Sequence, residues 1–137
     1  MPSPMPASSI VLEIRSSDDV VRVRQATREA AVALGFSLVD QTKLVTAASE
    51  LARNTLEHGQ GGEVSLEKLE TGVKRGVRLT FVDQGPGIAD VNQALKDGYT
   101  SGNGLGLGLG GARRLSNEFE IDSNPGAGTR VRMVRWR

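Results

Sequence analysis

Glu50 and Asn54 stand four residues apart in a stretch where Leu44, Ala47, Ala48, Leu51 and Thr55 recur at helical spacing. On a helix the two stack on one face, away from that inward stripe. A carboxylate and an amide presented together suit one proton acceptor and one oxygen ligand for a hard cation such as Mg²⁺. Taken alone, the pair fits a solvated polar helix face better. Asp83 ends a run in which Val77, Leu79 and Phe81 alternate with Arg78 and Thr80, and Gln84-Gly85-Pro86-Gly87-Ile88 follows it. An acid there can accept a hydrogen bond from an exocyclic amine, while the glycines let a flat ring approach the backbone. A turn-initiating Asp is the plainer alternative. Gly128-Thr129 offers a hydroxyl that could support the same ring, a weak signal by itself.

The fourth piece is Asn103-Gly104-Leu105-Gly106-Leu107-Gly108-Leu109-Gly110-Gly111, which turns helical at Ala112-Arg113-Arg114-Leu115. Glycines at this density expose backbone N–H groups next to a helix start, where donors and helix dipole both favour an anion. A flexible linker would be polar and Gly/Ser-rich. This stretch alternates with leucine, so a phosphate cradle is the favoured reading. The G-x-x-x-x-G-K-[ST] pattern is absent. Gly106 to Gly111 satisfies G-x-G-x-x-G, but a loop precedes it and no acid follows about 20 residues later, so the dinucleotide reading fails.

Composition narrows the field. A chain of 137 residues is long enough for one domain with a real core. The net charge of +1 gives no strong field toward nucleic acid or an anionic membrane, and 4% aromatic residues are too few for a base-stacking platform. With no cysteine and one histidine, disulfides, thiol nucleophiles and multi-histidine metal sites are excluded. Cysteine usage fits a reducing cytoplasm. No apolar run approaches the ~18 residues of a membrane span. Met1-Pro2-Ser3-Pro4-Met5-Pro6 lacks the basic and apolar regions of a signal peptide, and residues 1–9 are expected to be a flexible tail before a single domain over 10–137.

The elements that must position these residues follow in order. Residues 10–14 read as a strand, and Ser16-Ser17-Asp18-Asp19 supplies caps for a helix carrying Val20, Val23, Ala26, Ala30, Ala33 and Leu34, closed by Gly35. A second helix is expected after Asp40 as N-cap, running to Glu57-His58 and stopped by Gly59-Gln60-Gly61-Gly62. Strands at 63–69 and 76–82, a short helix over 90–96, the helix after the glycines, and a last hairpin across residues 124–128 complete the chain. The order predicts a mostly antiparallel sheet with helices on one face, a two-layer α+β sandwich.

In this order and spacing the four pieces resemble the GHKL (Bergerat) ATP-binding fold of gyrase, Hsp90, histidine kinases and MutL. Glu50-Leu51-Ala52-Arg53-Asn54 is similar to its N box, Asp83-Gln84-Gly85-Pro86-Gly87-Ile88 to its D-x-G-x-G box, Gly104-Leu105-Gly106-Leu107-Gly108 to its second glycine box, and Gly128-Thr129 to its terminal G-T. From Asp83 through Lys96-Asp97-Gly98-Tyr99-Thr100-Ser101-Gly102-Asn103 to Phe119-Glu120-Ile121-Asp122-Ser123 the chain further resembles the RsbT-type serine/threonine kinases, the switch proteins of stressosome pathways and relatives of the anti-sigma-factor kinases. The resemblance implies that Asn54 holds Mg²⁺ and that Asp83, with Gly85, Gly87 and Ile88 and helped by Thr129, reads the adenine. It implies that Arg53, Gly104, Leu105, Gly106, Leu107 and Gly108 hold the rest of the nucleotide. Glu50 would accept the proton of the attacking hydroxyl, in phosphoryl transfer that rests chiefly on positioning and charge neutralisation.

The chain has no G-x-S-x-G nucleophile elbow, so the attacked hydroxyl is expected on a partner. The resemblance implies a serine of a STAS-domain protein of the RsbS/RsbR kind, with activation of a PP2C-type phosphatase after release. The alternative is an anti-sigma factor that sequesters a sigma factor and phosphorylates an anti-anti-sigma factor. A third reading, nucleotide binding without catalysis, gives Glu50 no purpose. His58, at a helix end before Gly59, reads as a dipole partner and not a phosphoacceptor. The helix over 20–34 and the strand face shared by Arg130 and Arg132 are the candidate partner surfaces, the latter for an acidic protein or as a plain solvated face.

Overall fold

The computed structural model describes residues 6–96 and 108–137. Five strands, β1 (Pro6–Ile14), β2 (Gly62–Thr71), β3 (Lys74–Asp83), β4 (Glu118–Ser123) and β5 (Thr129–Trp136), form one antiparallel sheet in the order β1-β2-β3-β5-β4. The helices are α1 (Ser17–Ala33), α2 (Leu38–Glu57), α3 (Val91–Ala94) and α4 (Gly108–Arg114). The α+β two-layer fold expected from the element order is the fold observed.

Register explains how core and site share one surface. Side chains alternate across a strand, so the helix-facing side of the sheet is built of cross-strand rows. One row is Ile10–Leu66–Leu79–Met133–Phe119 and the next Leu12–Val64–Phe81–Val131–Ile121. Both are apolar, and Val64, Leu66, Leu79, Phe81, Val131 and Met133 join Val20, Val23, Leu44, Ala48, Leu51 and Ala112 of the helices in one buried core. The third row, Ile14–Gly62–Asp83–Thr129–Ser123, turns polar. The core therefore ends where the candidate ring-binding residues begin.

Local chemistry sets the helix starts. Ser16 caps α1, accepting from the Asp19 N–H, with Asp18 and Asp19 in the first turn where carboxylates favour the dipole. The cap of α2 is Ser37, not Asp40: Ser37 Oγ accepts from the Asp40 N–H at 3.1 Å. Leu38 and Val39, exposed in the first turn, hid this start by putting apolar residues off the buried stripe. Asp40 instead accepts from Arg135 at 2.8 Å, and Arg135 also donates to the Leu115 carbonyl at 2.8 Å, tying β5 to α2 and to the end of α4.

Two other expectations shift. The first strand starts at Pro6, so residues 6–9 of the expected tail belong to the sheet, with Ser8 and Ser9 opposite Lys68 and Glu67. Proline is tolerated there because β1 is an edge strand and Pro6 its first residue. The helix after the glycine stretch starts at Gly108, four residues before Ala112. A Cβ on Gly110 would collide with the Leu95 carbonyl, so close approach of α4 to the end of α3 outweighs glycine's poor helix propensity.

The opposite face of the sheet is laced by ion pairs. Glu67 and Arg78 face each other across β2 and β3 and form two hydrogen bonds, at 2.8 and 2.9 Å. Arg130 pairs with Asp122 at 3.2 Å and Arg132 with Glu120. The arginines singled out as a surface for an acidic partner are thus engaged by their own neighbouring strand.

Hydrogen bonds from Arg78 hold the Glu67 carboxyl below its ordinary range, and one from Arg135 does the same for Asp40. A depressed folded-state value means the stabilisation is present above the ordinary carboxylate range and is lost as pH falls through the lowered value. Glu67→Gln is therefore expected to cost about 1–3 kcal/mol at neutral pH. It should also flatten the acid limb of a stability-against-pH curve measured by denaturant unfolding. An unchanged acid limb would mean the pair contributes nothing to pH dependence.

Candidate active site

Asp83 sits at the C-terminal end of β3 with 9% of its surface exposed. Its Oδ1 accepts from the Gly85 N–H at 2.9 Å, which fixes the carboxylate and starts the turn through Pro86 and Gly87. Three backbone segments press against it. A Cβ on Gly59 would overlap the carboxylate, one on Gly128 would overlap the Asp83 carbonyl, and one on Gly85 would lie 2.7 Å from the Gly59 Cα. The end of α2, the loop after β3 and the start of β5 can converge only because these positions carry no side chain.

The loop after β3 is pinned to the β4–β5 hairpin. Gly126 N–H donates to the Pro86 carbonyl at 2.7 Å, and Ile88 N–H donates to Ser123 Oγ at 2.8 Å. Gly87, at φ +77°, packs so tightly on the Asn124 carbonyl that no Cβ fits. Thr129 lies beside Asp83 in register, and its hydroxyl is 2.7 Å from that of Ser123. Asp83, Gly85, Gly87, Ile88 and Thr129 are therefore gathered in one place.

Glu50 and Asn54 lie one turn apart in the last part of α2, as their spacing predicts. Glu50 Oε2 accepts from the Gly108 N–H at 3.2 Å, so the carboxylate meets the start of α4 just after the glycine stretch. Its Oε1 accepts from Arg53 at 2.9 Å. Arg53, expected among the nucleotide-binding residues, is engaged here with Glu50. Asn54 O accepts from the His58 and Gly59 N–H groups, which links the Glu50–Asn54 turn directly to the glycine against Asp83. His58 is the C-cap of α2. Gly104, Leu105, Gly106 and Leu107 fall outside the described residues.

Two residues with a part in this geometry escaped the sequence reading. Gly59 was legible only as a helix stop. Ser123 left a fainter signal: it continues the alternation of Phe119 and Ile121, which places it on the inner face, across the hairpin from Thr129. Gly59→Ala is expected to push the Asp83 carboxylate aside and weaken adenine-nucleotide binding by tenfold or more, on the order of 1–3 kcal/mol for one displaced polar contact. Calorimetric titration of ATP checks this, and unchanged affinity would separate Gly59 from the site.

Residues 15–135 match the family model described as the histidine kinase-like ATPase domain. The chain is 39% identical to the serine/threonine-protein kinase RsbT of Bacillus subtilis over 125 residues, 91% of this chain and 94% of that one. An anti-sigma F factor of Clostridium kluyveri is 30% identical over 103 residues, 72% of each chain. The crystal structure of the RsbU and RsbW domains of a Mycobacterium tuberculosis protein superposes with a TM-score of 0.64 at 24% identity. It covers 98% of this chain and 34% of the solved one, a likeness of fold. The chain belongs to the histidine kinase-like ATPase domain family, the GHKL superfamily. Within it the chain is a protein serine/threonine kinase of the RsbT type, and ATP is its phosphoryl donor. Among the described residues, no helix is long and apolar enough to cross a membrane.

Proposed function

We propose that this kinase transfers the γ-phosphoryl group of Mg-ATP to a serine of a STAS-domain protein in a partner-switching circuit. The observation that carries the reading is the meeting of two half-sites: the fixed Asp83 carboxylate in its glycine-lined corner, and Glu50 and Asn54 on the adjoining turns of α2. Asp83 accepts from the adenine amine, with Gly85, Gly87 and Ile88 beneath the ring and Thr129 beside it. Residues 104–108 are assigned to the phosphates on their glycine-rich motif.

Asn54 would hold Mg²⁺ through its side-chain oxygen. Among the described residues no three His, Cys, Asp or Glu side chains converge to make a protein cage. That suits a magnesium ion carried largely by substrate phosphates and water, with one or two protein oxygens. Bound there, the ion would supply charge neutralisation. Glu50 takes the proton of the serine hydroxyl, the serine oxygen bonds to the γ-phosphorus, and the bond to the β-phosphate oxygen breaks to release ADP. Arg53, paired with Glu50, orients that carboxylate.

Once its substrate is phosphorylated and dissociates, the kinase binds and activates a PP2C-type phosphatase, working in the cytoplasm. The anti-sigma F factor among the relatives favours a second reading, in which this chain sequesters a sigma factor and phosphorylates an anti-anti-sigma factor. The exposed side of α1, with Val21 and Val32, is the partner surface in either case. Pull-downs with STAS protein, phosphatase and sigma factor, each with and without Mg-ATP, separate the two. The first reading expects STAS capture that Mg-ATP reverses, together with phosphatase capture. Binding to the sigma factor alone would overturn it.

A further inference from the structure

We infer that Arg135 is a positioning residue for the phosphate half of the site, a role that rests on the assignment of residues 104–108 to the phosphates. From β5 it holds the far end of α4, and the near end thereby keeps Gly108 against Glu50. α2 and α4 are tied at two places. At one, the Gly108 N–H donates to Glu50 Oε2 at 3.2 Å. At the other, Arg135 Nη1 donates to the Leu115 carbonyl just past α4, and Nη2 to Asp40 Oδ1 in the first turn of α2, both at 2.8 Å. Asp40 and Glu50 lie about 15 Å apart along α2, and α4 is about 10 Å long. The two helices therefore run antiparallel, with a tie at each end.

α4 depends on such ties. Three of its seven residues are glycine, the poorest helix former after proline, and two turns of helix do not hold themselves in water. Burial of Leu109 and Ala112 pulls α4 onto the core. Apolar contact is non-directional, so the hydrogen bonds at the two ends supply the direction. Arg135 suits the far end. Its backbone pairs with Val77 of β3, so the sheet is its frame of reference. Only 14% of its side chain is exposed. Its two acceptors belong to different elements, a span that suits a planar guanidinium fork and not a single ammonium. Asp40 is itself fixed, because Ser37 Oγ caps its N–H. A shift at Leu115 is carried to Gly108, since so short a helix moves as a unit.

Two readouts on the full chain test this. In Arg135→Gln and Arg135→Lys the Gly108 amide proton should move upfield in the NMR spectrum, toward its position in Glu50→Ala, as its bond to Glu50 lengthens. Affinity for ATP with Mg²⁺ should fall roughly tenfold or more, the weight of a charge-assisted hydrogen bond. Affinity for adenosine, which fills the Asp83 corner and carries no phosphate, should stay within about twofold in an NMR titration. The lysine variant keeps the cation beside Asp40 and so guards against a glutamine variant that does not fold. Lost stability alone would leave the Gly108 signal unmoved, and general damage to the site would weaken both ligands alike. Either result overturns the inference, and so does an Arg135→Lys variant that behaves as wild type. If wild type binds ATP no more tightly than adenosine, the phosphate assignment of residues 104–108 falls, and the Gly108 signal still decides the role of Arg135.

Discussion

Asn54→Ala is expected to lose more than about a hundredfold in affinity for ATP in the presence of Mg²⁺, since groups that only hydrogen-bond to a metal's ligands are already worth about 10–100-fold and Asn54 is proposed as a direct ligand. The loss should vanish when ATP is titrated in EDTA, because the Asp83 corner that reads the ring is untouched by the change. This contrast matters because Asn54 also lies on the turn that leads to Gly59. If the substitution merely disturbed that turn, ATP would bind worse with and without the metal. Equal losses in both conditions would remove Asn54 from the metal site and assign it a role in helix geometry.

Glu50→Gln should keep nucleotide binding and lose about 10²–10⁴ in the rate of phosphoryl transfer, the usual weight of a positioned base. Glutamine keeps an oxygen that can accept from the Gly108 N–H, so the link from α2 to α4 survives. What it loses is the proton acceptor and the pairing with Arg53, whose side chain is 46% exposed. With Arg53 half in solvent and the Glu50 side chain only 12% exposed, the pair contributes about 1 kcal/mol, so the melting temperature should fall by a few degrees at most. A rate near wild type would clear Glu50 of the proton transfer and leave it as a cap on the start of α4. A lost rate with lost ATP affinity would point to a collapsed α2–α4 contact.

Much of this architecture was legible because its signals are local and periodic. Val77, Leu79 and Phe81 alternate with polar residues and become the central rows of the sheet. The Leu44, Ala47, Ala48 and Leu51 stripe of α2 fixes which side Glu50 and Asn54 face. What was hidden depends on contacts distant in sequence. Gly59 matters because a Cβ there would collide with Asp83, 24 residues on, which no helix-stop rule contains. Ser123 becomes informative only when β4 and β5 pair and the loop at Ile88 folds back on them. Arg130 and Arg132 look like a basic stripe until the register puts Asp122 and Glu120 opposite them. The cap of α2 was misplaced for a related reason: exposed Leu38 and Val39 mimic a buried face that only the tertiary fold can refuse.

The motif that first suggests phosphate binding is also the one whose larger part, Gly104 to Leu107, lies outside the described residues. Its described end is nevertheless informative. Gly108, at φ +69°, opens α4 and offers its N–H toward Glu50, which joins the glycine box to the N box.

The measurement that meets the central claim most directly is transfer from γ-labelled ATP with Mg²⁺ to the STAS-domain proteins of the same organism, resolved by phosphoamino-acid analysis. Label on a STAS serine, absent with Glu50→Gln, is the predicted result. Tight ATP binding with no label on any STAS protein would contradict it.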